Sequence, residues 1–347
     1  MIKLEKASLD RAAAEGIITE AQSSQLWSYL TSQGSTASDL NLIHFFYYFG
    51  GVICILAMTL FMNLGWEQFG GAGLTLISLC YLISFSLAGN HLWKNKNYQI
   101  PGGILLTIAV CMTPLLVYGF QRWTGFWGDD GPSLYGDYHV WIRSSWVLMS
   151  FSTIIVGGLF LRNFAFSFLT MPIAVAMFYL TMDLVPLIHP SQTYYWDYYN
   201  RYAVGLGALM IVFAYLLDRK EKEVDYSFWI YLFGVLSFWG GLTSMNSDSE
   251  MGKFLYFVIN LGLLFLGLFL YRKVFILFGA LGALVYFYHL ARQVFEDSMW
   301  FPFVMTLMGL AVMYVGIKYQ KNKEKVDRKF TQLLPQALKK LRPAEKS

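Results

Sequence analysis

Charge is scarce in this chain of 347 residues: Asp, Glu, Lys and Arg supply 14% of it, against roughly 25% in a water-soluble domain. With 56% of the residues hydrophobic, water is excluded as the main solvent. Cysteine is nearly absent, and Cys54, Cys80 and Cys111 all lie inside apolar blocks. A disulfide framework is therefore not expected, and the three read as small packed side chains. Signatures of catalysis are missing too. There is no Gly-rich phosphate loop ending in Lys and Ser/Thr, no His-Glu-x-x-His, no Cys-x-x-Cys and no Gly-x-Ser-x-Gly on a strand, which counts against an ATP-driven pump, a zinc protease and a redox carrier. The apolar/polar alternation of a barrel strand is also lacking, so an outer-membrane barrel is not expected.

What is present is a succession of apolar blocks of about 17 to 24 residues, the length that crosses a hydrocarbon core of roughly 30 Å at 1.5 Å per helical residue. A helix satisfies its own backbone polar groups in lipid. The reading is therefore an all-α polytopic membrane protein of about ten transmembrane helices, with a small helical N-terminal cytoplasmic segment. The spans are expected at 43–64, 69–89, 101–120, 142–161, 164–187, 202–217, 227–245, 254–271, 273–290 and 299–317, with nine spans as the alternative reading. Three regions follow: a cytoplasmic helical segment at 1–40, the bundle at 41–318 and a basic cytoplasmic tail at 319–347. A removable secretory leader before the first span is not expected, so that span is expected to direct insertion itself.

Lysine and arginine orient the bundle. With the N-terminus inside, the inner segments hold 21 of these bases and the outer ones five, and the split is still 11 to five without the tail. Such a bias is what the positive-inside rule predicts. The outer side carries ten acids against its five bases, among them Asp129, Asp130, Asp137, Asp197, Asp248 and Glu250. Rings crowd the outer edges, for example Trp123, Trp127, Tyr138, Tyr194 and Trp196, as in a headgroup anchoring belt.

The polar ends have a pattern of their own. Leu9 to Glu15 reads as a short helix stopped by Gly16, and Thr19-Glu20-Ala21-Gln22 as a capping box opening a second helix that runs towards Thr31. This segment is too small for a catalytic core and suits docking onto inner loops or a protein partner. In the tail, Val326, Phe330, Leu334, Leu338 and Leu341 stand at helical spacing among Arg328, Lys329, Lys339, Lys340 and Arg342, with Pro335 interrupting any single helix. That arrangement would lie on the anionic inner leaflet of the bilayer. Without a nucleic-acid fold beside it, the tail is not read as a nucleic-acid partner.

The run from Arg11 through Glu15-Gly16-Ile17-Ile18 to Thr19-Glu20-Ala21-Gln22, followed by Leu26, Tyr29-Leu30 and a block of spans, resembles a bacterial family of membrane proteins known as domain of unknown function 2157. The likeness covers about residues 9–45 closely and the spans by type. It implies a bacterial cytoplasmic (inner) membrane and brings no catalytic, binding or cofactor residues, so the cofactor stays unknown.

Ionisable and amide groups at membrane depth are the remaining clues, because leaving a charge in lipid costs at least roughly 2.5–3.5 kcal/mol. Asp183 stands towards the outer end of span five, Asn260 in span eight and His289 towards the outer end of span nine. Outside, Asp137 and His139, with His189 and Asp197, offer carboxylates and imidazoles for a cation or small ligand. Sequence spacing does not show three ligands converging, so no metal site is assigned. No catalytic residue is assigned either. Three readings stand: a non-enzymatic sensor, accessory or scaffold protein; a transporter or channel for a small solute or cation with a polar path near Asp183, Asn260 and His289; and a membrane-embedded enzyme with an outer acidic, aromatic site.

Overall fold

A computed structural model describes residues 9, 12–13, 15–33, 45–54, 56–57, 68–126, 145–188, 195–220, 224–245, 247, 249–294 and 300–321. All regular structure among them is helical: α1 Glu20–Gln33, α2 Phe45–Cys54, α3 Gly70–Trp93, α4 Gln99–Cys111, α5 Thr113–Trp123, α6 Ser145–Asn163, α7 Thr170–Ile188, α8 Tyr195–Asp218, α9 Ser227–Ser244, α10 Glu250–Leu270, α11 Lys273–His289 and α12 Phe301–Lys321. Seven segments of the described chain are long and apolar enough to cross a membrane: Gly70–Trp93, Gln99–Trp123, Trp146–Asn163, Ser167–Val185, Tyr198–Asp218, Glu250–Leu270 and Lys273–Arg292.

The helices are apolar on their exposed faces as well as in their core, and a few polar side chains are buried among them. Leu87, Leu209 and Leu284 stand more than half exposed, while Ser78, Thr107, Asp183 and Asn260 are buried. Water would penalise such an apolar surface, whereas lipid does not. This lipid-compatible surface, together with the seven long apolar segments, makes the protein a multi-pass membrane protein, all-helical among the described residues.

Contacts divide the chain into two compact units, one holding α1–α5 and the other α6–α12. In the first, Thr19 and Gln22 form the reciprocal capping box: the Thr19 amide donates to Gln22 Oε1 at 2.9 Å and the Gln22 amide to Thr19 Oγ1 at 3.3 Å. Gly16, at φ +72°, ends the preceding turn in the left-handed region that favours glycine. Further on, α4 stops at Met112 and α5 carries Pro114 in its first turn, where its missing N–H costs no helical bond. These two short helices make one interior span, with 61% of its apolar window buried against 11% for α3. They pack on α3 at glycine-sized separations: a methyl group at Gly119 would stand 2.7 Å from the backbone nitrogen of Thr75.

The second unit runs up and down. Its core gathers Met210 and Ala214 of α8, Ile230, Tyr231 and Val235 of α9, Leu263 of α10 and Phe275 and Phe278 of α11. α9 is wrapped by protein, which explains why it accommodates Trp229, Trp239 and several serines in an 18-residue helix. Side-chain bonds tie alternate helix ends together. At one end Arg272 reaches Asp218 and Asp225; at the other Asn200 Nδ2 donates to the Ser244 carbonyl at 3.0 Å, Thr243 Oγ1 meets the Tyr256 hydroxyl at 3.0 Å, and His289 Nε2 meets Glu250 Oε2 at 3.1 Å. Successive helices from α8 to α11 therefore alternate in direction.

Candidate functional site

The most concentrated chemistry in the second unit is ionic and lies at its Arg272 end. α10 ends on Tyr271, whose φ of +56° puts it in the left-handed region; the Arg272 amide donates to the Gly267 carbonyl at 3.0 Å. A left-handed conformation costs an L-residue about 1–2 kcal/mol. That turn sends Arg272 beneath α8 and α9, where its Nη2 donates to Asp218 Oδ1 at 2.7 Å and its Nε to Asp218 Oδ2 at 3.2 Å. The same guanidinium bonds Asp225 through Nη1 and, at 3.0 Å, through Nη2, and gives a further bond to Ser227 Oγ at 2.9 Å. Ser227 Oγ in turn donates to Asp225 Oδ1 at 2.9 Å, and Ser167, in the turn before α7, donates to the Asp225 carbonyl. The Tyr231 ring lies under the guanidinium at 5.4 Å, within cation–π range.

Bidentate pairing uses the fork that arginine has and lysine lacks. Asp218 is 1% exposed and Arg272 11%, whereas Asp225 is 33% exposed. Burial works against the Arg272 charge, but the hydrogen bonds and charges of Asp225 and Asp218 outweigh it and hold its pKa above the ordinary value. One cation against two carboxylates makes a clamp. Four chain segments are fastened at one end by it.

The residues singled out from the sequence sit elsewhere and in three settings. Asp183, on α7, is buried and accepts one hydrogen bond at 3.1 Å from Ser150 Oγ of α6. Asn260 is fully buried between α10 and α11, with its Nδ2 donating to the Tyr256 carbonyl at 2.8 Å and its Oδ1 against Gly282. No side chain fits between the two: a Cβ at Gly282 would collide with the Asn260 amide. His289 pairs with Glu250 beside a cavity of about 560 Å³ lined by Thr243, Lys253 and Tyr256. Asp183 and Asn260 do not line it. Asp137, His139 and His189, the side chain of Asp197, and the tail beyond Lys321 lie outside the described residues. Among the described residues no three His, Cys, Asp or Glu side chains gather as a metal set.

A second cavity, of about 1170 Å³, opens along α6, α7 and α8. Its walls are aliphatic and aromatic, and Arg162, Lys220 and Tyr226 line one end. Neither this groove nor the Arg272 clamp was read from the sequence. Asp218 and Asp225 stand 54 and 47 positions from Arg272 and looked like ordinary inner-loop acids. The available signal was that all three fall at the same ends of neighbouring spans, with Arg272 pinned in a two-residue join.

Compared with models of protein families, with curated proteins and with solved structures, the chain matches none.

Proposed function

We propose that the chain is a ten-span, non-enzymatic protein of a bacterial cytoplasmic membrane, with both termini inside, serving as an accessory or scaffold for a protein met through residues 1–40. The observation that carries this reading is the Arg272 clamp: a largely buried cation is bound to two carboxylates and fastens helix ends into a fixed face. The count of ten adds to the seven long apolar segments the helices α9 and α12 and the apolar block 43–64, whose described residues include α2. An even count returns the chain to the side where it began. The 21-to-five split of bases assigns the Arg272 end to the cytoplasm. The resemblance of residues 9–45 to domain of unknown function 2157 supports the bacterial setting.

On that inner side, the capped helix α1 leaves Leu26 exposed, and Ile17, in the turn before it, is 71% exposed. These apolar side chains on a short polar segment suit a protein contact better than solvent. The test is recovery of cross-linked partners from cells with the tagged full chain and with a chain lacking residues 1–40. Partner recovery is expected to fall to background on deletion while the amount in the membrane stays unchanged. Equal recovery from both chains contradicts the accessory role.

A further inference from the structure

The lateral groove on α6, α7 and α8 combines features that the proposed accessory role does not use. Each helix contributes one face at helical spacing: Ile154, Gly158 and Arg162 from α6, Met177 and Leu184 from α7, Leu206 and Phe213 from α8. From Leu206 to Lys220 the groove runs roughly 21 Å at 1.5 Å per residue, longer than one leaflet's share, about 15 Å, of a hydrocarbon core. Its volume, about 1170 Å³, exceeds the roughly 300–1,000 Å³ of common small-molecule pockets. A long flexible chain fits such a trough better than a compact solute.

Gly158 lines the trough and borders its open space. A Cβ placed there meets nothing within 4 Å, so no packing demand explains the glycine. It leaves free space where a larger side chain would stand.

The charge is all at one end. Arg162 is the penultimate residue of α6, and Lys220 stands two residues beyond the end of α8; both are exposed. Among the described residues neither forms an ion pair, in contrast to Arg272, which is fully engaged. The Ser167 and Arg272 contacts place the ends of α6, α8 and α9 at the same level. Two cations at the rim of an apolar trough match a phosphate headgroup above acyl chains.

We infer that this groove is a binding site for an anionic glycerophospholipid, its acyl chain lying along Met177 and Phe213 past Gly158 and its phosphate held between Arg162 and Lys220. A zwitterionic lipid would fill the trough equally well but would satisfy the two cations less. The contribution of two surface cations corresponds to a preference of roughly 10–30-fold.

The test is native mass spectrometry of the delipidated full chain in detergent, titrated with phosphatidylglycerol and with phosphatidylethanolamine of identical acyl chains. Phosphatidylglycerol is expected to be retained roughly 10–30-fold more strongly. The double variant Arg162→Gln/Lys220→Gln should bind the two lipids equally, and Gly158→Trp should retain less of both. Should the double variant not fold, Lys220→Gln alone, at an exposed position, should still narrow the preference. Equal retention of the two lipids by the parent chain overturns the inference. So does a preference that survives the charge variants, or retention unaffected by Gly158→Trp, which is the result expected if a protein helix occupies the groove instead.

Discussion

Replacing Arg272 by methionine is expected to destabilise the second unit by about 3–5 kcal/mol, the usual consequence of removing one partner from a buried ion pair. Methionine keeps an apolar stem but leaves Asp218 almost fully buried without its cation, with the Tyr231 hydroxyl 3.5 Å away. The effects of the other two positions should follow their exposure. Asp218→Asn loses the charge but keeps an oxygen for the guanidinium, so about 1–3 kcal/mol is expected. Asp225→Asn should cost less, because Asp225 is one-third exposed and water screens it. Removing all three charges together, as Arg272→Met/Asp218→Leu/Asp225→Asn, should regain most of the loss, since a packed apolar replacement avoids the desolvation penalty. Thermal unfolding of the purified protein in detergent measures the series. An Arg272→Met melting point no lower than that of Asp225→Asn would mean that the clamp does not hold the helix ends.

Gly119→Ala should weaken the first unit by about 1–3 kcal/mol, although alanine is the better helix former. The added methyl would meet the Thr75 backbone nitrogen at 2.7 Å and the Thr75 hydroxyl at 2.8 Å. Thr75 itself is fixed by donating to the Gly71 carbonyl at 2.8 Å. No side chain can rotate away from a backbone atom, so α3 and α5 must separate and lose contact along their length. The matched control is Gly205→Ala on α8, where a methyl meets nothing within 4 Å. There the intrinsic propensity acts alone, and a gain of up to about 1 kcal/mol is expected. Opposite signs at the two positions, read by the same melting measurement, distinguish close helix packing from a general intolerance of the change. A loss of equal size at both would refute it.

Apolar block length and helix punctuation carried much of this fold into view from the sequence. The blocks at 227–245 and 273–290 coincide with Ser227–Ser244 and Lys273–His289, and the Thr19–Gln22 capping box is present atom for atom. Boundaries slipped where polarity and helicity part company. The block at 202–217 extends back to Tyr195, because a helix satisfies its backbone through Asn200 and Arg201 as readily as through leucine. The block at 101–120 is two helices, since Pro114 ends one backbone ladder and starts another.

Sites were less legible for a related reason. Asn260 drew notice as a lone amide in an apolar run, yet its place is defined by Gly282, a residue that contributes only the absence of a side chain. The groove beside Gly158 is likewise made of missing volume, and no residue type announces it. Arg272, Asp218 and Asp225 come together only because α8, α9 and α10 alternate in direction and Tyr271 takes a left-handed turn. Each was visible alone as a charge near a span end; the pairing required three dimensions.

The proposed two-sided bundle, with its Arg272 end in the cytoplasm, is tested most directly by cysteine accessibility. In a background lacking Cys54, Cys80 and Cys111, single substitutions Lys220→Cys, Lys323→Cys and Asp130→Cys are exposed to a membrane-impermeant maleimide in intact and in permeabilised cells. Asp130→Cys should label in intact cells, and Lys220→Cys and Lys323→Cys only after permeabilisation. Labelling of Lys220→Cys in intact cells, or of Asp130→Cys and Lys323→Cys from the same side, would contradict it.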